Sequence, residues 1–287
     1  MTKSYFAIIG VGVLIAIGAL ALFFIPAEKV NDVGTPNPML ENNPENADWS
    51  QTQPAPPPTP SAVTPPGGAK KPSGSQGRIL FTLSDAAVAM DTLDSILMAV
   101  NEVSVHSPGT GWVTVLKIPK QVDLLKLYRE NKSVILSDTY LNAGSYSQIR
   151  LLIGTIAVTP RGSAPEAGIE AKLPSKEIKI VGKLEVAKGQ TSAVEFDFMA
   201  DKSLHKTGNG KYIFAPVVKI DTKSDVDNVQ ITQNTIIKDK TVEIFGGLQK
   251  FTAIFGMDET GELKQNFSFG PYANLELDGD KIKIISQ

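Results

Sequence analysis

The sequence predicts an all-β protein, an antiparallel β-sandwich preceded by one transmembrane helix and a disordered proline-rich linker. Three observations predict it. From Arg78 onward, short apolar alternations of period two are broken by Gly, Asn, Asp and Pro. Before that, Tyr5 to Ile25 carries no charged residue. Between them, eleven of the 51 residues from Ala27 to Gly77 are proline.

The apolar run spans roughly 32 Å as a helix, enough for the hydrocarbon core of a bilayer. Thirteen of its 21 residues are Leu, Ile, Val or Phe, and Pro26 ends it. Ala19-Leu20-Ala21 loosely fits a signal-peptide cleavage site. Leu22 to Ile25 continue the apolar run past it, which favours a retained anchor. Lys3 precedes the run, and Glu28, Lys29 and Asp32 follow it. Positive charge stays inside. The expectation is therefore a cytoplasmic stub at 1–4, a bilayer-spanning helix at 5–25 and a C-terminal part outside the cell. Residues 27–77 have too little apolar surface to offset the entropy of ordering, so they read as a spacer. Trp49 is the spacer's single aromatic residue.

The folded part divides into a β-sandwich at 78–225 and a C-terminal β extension or small β domain at 226–287. Ile79, Phe81 and Leu83 alternate with Leu80, Thr82 and Ser84. Ile178, Ile180, Leu184 and Val186 keep one parity, as do Val194, Phe196 and Phe198. One polar and one apolar face imply antiparallel strands over a core. Leu93 to Met98 reads as strand, although Leu93, Ile96, Leu97 and Val100 also fit helical spacing. Parity changes between Val100 and Val103, and between Ile153 and Ile156 with Gly154 at the switch. An extra residue at a bulge swaps the faces of a strand, so both places predict bulges. Tyr212 to Ile220 is apolar on both faces and reads as a central strand, with Pro216 marking a bulge or an edge. Brief helices are expected around Leu127 to Ser133 and near Asp201 to Leu204. Loops are expected at Ser107 to Gly111, Asn142 to Gly144 and Thr207 to Gly210. Beyond 226, Val242 to Phe245 reads as a strand. Hairpins are expected around Asp258-Glu-Thr-Gly261 and Asp278-Gly-Asp280.

Gly77-Arg-Ile-Leu-Phe-Thr-Leu-Ser-Asp85, Val103-Ser-Val-His-Ser107 with Gly111-Trp112, and Asp123-Leu-Leu-Lys-Leu127 together resemble an uncharacterised prokaryotic family, domain of unknown function 4382. Leu141-Asn-Ala-Gly-Ser-Tyr146, Gln148-Ile-Arg150 and Ala171-Lys-Leu-Pro-Ser175 resemble it too. So do Asp201 to His205 and Gly208 to Val218. The resemblance covers roughly 77 to 223 and implies an exported domain, often tethered to a membrane or lipid, with no established activity. Leu141-x-Ala-Gly-x-Tyr146 also resembles a turn-strand element of prealbumin-like surface modules. The sandwich is accordingly expected to be prealbumin-like or immunoglobulin-like.

Composition excludes several chemistries. There is no cysteine, so there is no disulfide scaffold and no thiolate centre. The 28 basic and 30 acidic residues nearly cancel, giving no field that would draw nucleic acid. His106 and His205 are the only histidines. A metal or catalytic role requires them to converge with carboxylates such as Asp85, Asp94 or Asp201. Otherwise each satisfies a local hydrogen bond. No nucleophile elbow, phosphate loop or complete calcium loop is present. The expectation is a non-enzyme without catalytic residues, metal or cofactor. Exposed aromatics beside glycine turns bind sugars by stacking, so Trp112, Tyr146 and Tyr212, with His106 and His205, are the candidate ligand-binding residues. For Trp112 the favoured reading is a core anchor at a strand start, with the sugar-stacking surface as the alternative. A glycan or a surface protein is the expected ligand, and a structural envelope component without a ligand is the alternative.

Overall fold

The computed structural model describes residues 74–85, 90–164, 168–269, 273–278 and 281–286. The helix expected at 5–25 and residues 27–73 of the expected linker lie outside them. Among the described residues no helix is long and apolar enough to cross a membrane.

Two mixed sheets face each other over one core. The strands in chain order begin with β1 (Gln76–Asp85), β2 (Leu93–Ser107), β3 (Gly111–Leu116), β4 (Lys120–Asp123), β5 (Ser133–Asn142) and β6 (Gly144–Pro160). Then come β7 (Ile169–Lys172), β8 (Glu177–Val186), β9 (Thr191–Phe198), β10 (Leu204–Lys206), β11 (Tyr212–Phe214) and β12 (Val217–Ser224). The C-terminal part adds β13 (Asn228–Asn234), β14 (Asp239–Phe245), β15 (Leu248–Met257), β16 (Leu263–Gln265), β17 (Asn274–Asp278) and β18 (Lys281–Ser286). The first sheet runs β13-β14-β5-β1-β9-β12-β15-β16, and the second β10-β11-β7-β6-β2-β3, with β4 on β2 and β8 on β6. β17 and β18 pair as a separate ribbon.

The alternation of the sequence becomes the core. Ile79, Phe81, Leu83, Val194, Phe196 and Phe198 are buried from the first sheet, and Ile96, Met98, Val103, Val105, Ile149 and Leu151 from the second. Both predicted parity switches are present and lie against each other. Pairing of β2 with β6 shifts between Met98 and Val100 and again between Val100 and Glu102. Each long strand carries one extra residue there, which keeps Ile156 and Val158 on the core side. Gly154 sits at that point because a Cβ would lie 2.8 Å from Asn101 Oδ1. Leu93 to Met98 is strand, not the helix that its spacing also allowed.

Several expectations need correction. The sandwich is not purely antiparallel: β1 pairs with β9 in parallel, and so do β7 and β11. Alternation reports which face is buried and carries no information on direction. Tyr212 to Ile220 is not one strand. β11 belongs to the second sheet and β12 to the first, and Pro216, which has no N–H to give a ladder, marks the crossing between them. β1 starts at Gln76, not Arg78. Gln76 and Gly77 pair with Asn142 and Leu141, and a side chain at Gly77 would meet the Ala187 carbonyl at 2.3 Å. The first helix is α1 (Leu124–Glu130), three residues earlier than expected. The Asp123 carboxylate caps it by accepting from Lys126 N–H, and Asn131 ends it at φ 47°. The second is α2 (Ala200–Ser203). β16 stops at Gln265, because Asn266 turns at φ 56° and Phe267 and Phe269 fold back.

After Val226, β13 to β16 pair into the first sheet at both ends. β15 lies beside β12, whereas β14 pairs with the start of β5. The β13–β14 arm also rests on the outer face of the sheet, where Val229 and Ile244 pack on a small cluster of Leu80, Ile135 and Val242. The predicted turn after β15 is held by Asp258. Its buried carboxylate accepts from the N–H of Thr260 and of Glu262 and from the Thr260 hydroxyl, and it pairs with Lys264.

Burial alone pushes the Asp258 pKa up, but the Lys264 ammonium and these donors outweigh it and lower it from 3.8 to about 2. A depressed carboxylate pKa contributes stability that is complete above pH 4 and lost as pH falls toward 2. The loss is about 2 kcal/mol. Urea midpoints measured between pH 5 and 2 are expected to fall by that component, and Asp258→Asn to flatten it. An identical acid limb in both proteins contradicts the assignment.

Candidate functional site

The outer face of the second sheet carries a chemically varied surface. At one end, four strands lie side by side as β3-β2-β6-β8. Register fixes what meets what. One row is Trp112, His106, Gln148 and Val181; the next is Thr114, Ser104, Arg150 and Lys179. Glu102 follows, opposite Leu152. All point away from the core because their neighbours Val105, Val103, Ile149, Leu151, Ile178 and Ile180 point into it.

Trp112 is 38% exposed, so the surface reading holds and the core-anchor reading does not. It follows Gly111, whose φ of 69° closes the Ser107-to-Gly111 loop as the turn residues predicted. The Arg150 guanidinium lies over the indole at 4.5 Å from its centroid. The His106 ring is tilted against it at 5.1 Å, and the His106 Nδ1 is buried without a hydrogen-bond partner. Arg150 also reaches Glu102 at 3.5 Å. Glu102 accepts from the hydroxyls of Ser104 and Thr114. The result is a shelf with an aromatic plane, a cation, a carboxylate and hydroxyls within neighbouring rows.

The other candidates lie elsewhere. Tyr146 is a core residue, 3% exposed, whose hydroxyl donates to the Asn142 carbonyl at 3.0 Å, and burial raises its pKa. It closes the turn between β5 and β6 and has no free face. Tyr212 is also buried, with Lys206 Nζ 5.9 Å from its ring centroid. His205 is on β10, separated from β2 in the sheet by β11, β7 and β6. Its ring stands edge-on to Phe269 at 5.7 Å, and burial lowers its pKa, partly offset by a hydrogen bond to the Lys202 backbone. The two histidines therefore do not converge. Asp85 accepts from Ala200 N–H and Asp94 from Gly162 N–H. Among the described residues no group of three His, Asp or Glu side chains is placed to hold a metal.

Sequence reasoning missed Arg150 and Glu102. The signal for Arg150 was present: Ile149, Leu151 and Ile153 alternate inward, so Gln148 and Arg150 must face out. The partnership with Trp112 was not, since it depends on the β2–β3 and β2–β6 registers.

A second concavity, about 300 Å³, lies under the β13–β14 arm. Ser133, Glu195, Asp221 and Lys223 line its floor, with Glu243 and Phe245 on the arm. The Ser133 hydroxyl donates to Glu195 at 2.8 Å.

No curated protein and no solved structure matches this chain. A family model does match residues 76–216, from the first residue of β1 to the crossing at Pro216, which leaves β12 to β18 outside it. Residues 76–216 of the chain belong to the family described as Domain of unknown function (DUF4382).

Proposed function

We propose that the protein is a membrane-anchored module outside the cell that binds a glycan on the Trp112 shelf and performs no catalysis. The uncharged run at 5–25 and the single Lys3 flank support the anchoring. The observation that carries the binding is the exposed indole of Trp112 beside Arg150, Glu102, Thr114 and Gln148. Apolar sugar faces stack on such a ring, and hydroxyl groups exchange hydrogen bonds with ionic and amide side chains. A strand-borne shelf is also rigid, so little ordering entropy opposes binding.

The test uses the full chain carrying Trp49→Phe, which leaves Trp112 as the single tryptophan. A glycan array identifies ligands, and the array hits are titrated by isothermal calorimetry, with Trp112 fluorescence as a second readout in the proteins that retain Trp112. Trp112→Ala is expected to weaken binding about 30-fold, the ~2 kcal/mol of a hot-spot aromatic. Arg150→Gln should weaken it less. A stably folded chain that binds nothing across the array favours the structural envelope role instead.

A further inference from the structure

β13 is an outer edge of the first sheet, and its sequence does not protect it. Exposed edges template pairing with other chains, and proteins normally guard them with lysine, proline, bulges or brevity. The other edges follow that rule. β10 and β16 have three residues each. β8 carries Lys179, Lys183 and Glu185 and a register shift. β3 is also irregular in its pairing. β13 is different: Asn-Val-Gln-Ile-Thr-Gln-Asn has no charge, no proline and no glycine. It pairs with β14 over seven consecutive residues without a shift, so its far side is a straight row of backbone donors and acceptors. Its residues are exposed or half-buried on both faces.

We propose that this edge pairs antiparallel with β13 of a second copy of the chain, on a two-fold axis through Ile231. Three observations select a second copy. First, the strand is complementary to itself about Ile231: Gln230 meets Thr232, Val229 meets Gln233 and Asn228 meets Asn234 of the other copy. No charges are brought together, and amide and hydroxyl groups face one another. Second, Ile231 lies directly opposite Val242, a member of the apolar cluster with Leu80 and Ile135. That apolar row ends at Ile231, which is 42% exposed, and the Ile231 of the other copy continues it. Third, an isologous two-fold contact closes after two copies, so the unguarded edge does not propagate into fibres. A single strand pair buries less than the ~1,000 Å² of a stable interface, so the contact is a weak, reversible one. β13 lies outside residues 76–216, which makes this contact a feature of this chain and not of its family domain.

The chain has no cysteine, so disulfide trapping reads the contact directly. Full-length protein carrying Ile231→Cys is oxidised with oxidised glutathione and followed by non-reducing electrophoresis. Residues facing each other across an axis have Cα atoms about 4.5–5.5 Å apart, within reach of a disulfide. Ile231→Cys is expected to form dimer at least ten times faster than Ile118→Cys, a surface position that is more accessible, 79% exposed against 42%. Gln230→Cys and Thr232→Cys, each displaced from the axis, are expected to trap more slowly than Ile231→Cys. A dimer held by the membrane-proximal part of the chain would not produce this positional preference. Equal rates at Ile231 and Ile118, or no preference for Ile231 over its two neighbours, overturn the proposal. All four positions are exposed, so none of these changes threatens the fold.

Discussion

Replacing Phe196 with Ala is expected to remove about 3–5 kcal/mol of stability, the usual loss for a fully buried phenylalanine. Phe196 has no solvent exposure and sits on β9, between β1 and β12, where it lies opposite Leu83 and Ile220. Its ring is nearly parallel to that of Phe81, with centroids 6.4 Å apart. Both flanking strands are themselves central, so the surrounding side chains cannot collapse into the void. In a unit of this size the melting temperature should drop by roughly 10 °C. Phe196→Leu keeps most of the volume and should lose under half as much. Chemical unfolding followed by near-ultraviolet circular dichroism measures both. A loss below 1 kcal/mol for the alanine variant contradicts this account of the core.

The second large effect is expected from adding one methyl group. Gly256 on β15 passes so close to the returning chain that a Cβ there would lie 1.9 Å from the Phe267 carbonyl oxygen. Backbone cannot rotate away as a side chain tip can. Gly256→Ala must therefore push the 266–269 segment off β15, at a cost of about 3 kcal/mol or more. That segment carries Phe267 and Phe269, whose rings meet edge-on at 5.2 Å, and Phe269 covers His205. Loss of that cover should bring the His205 pKa back toward 6.5, which imidazole proton shifts in NMR would record. Gly182→Ala is the comparison. Its nearest neighbour is the Phe251 ring at 2.9 Å, a side chain that can move. If Gly256→Ala is no worse than Gly182→Ala, the close approach is not what holds this segment.

How much of this was legible beforehand depended on range. Gly111 acts on residues next to it, and its loop was expected; Asp123 and Asn131 also act locally, yet the helix expected at 127–133 missed one as its cap and the other as its end. The Trp112 shelf needed three strands in register, and only Trp112, beside a glycine loop, and His106 stood out. Tyr146, a weaker candidate in sequence, also follows a glycine turn, yet it is buried with its hydroxyl on Asn142. Which of two such rings faces solvent depends on which layer covers it, and that is a property of the assembled sheets.

The sequence by itself determined the all-β class, the alternation that becomes the core, and the paired bulges around Gly154 and Asn101, because each is written in the parity of neighbouring residues. The tertiary structure alone decided strand direction and sheet membership. β1 runs parallel to β9, and the chain crosses sheets at Pro216, although the apolar residues continue unbroken through it. It also decided that β13 to β16 would extend the first sheet at both ends and leave β13 at its border. Burial of a side chain is a local choice with a period the sequence can carry. Pairing partners are chosen among all strands at once, by which arrangement satisfies every backbone group and leaves no apolar face uncovered.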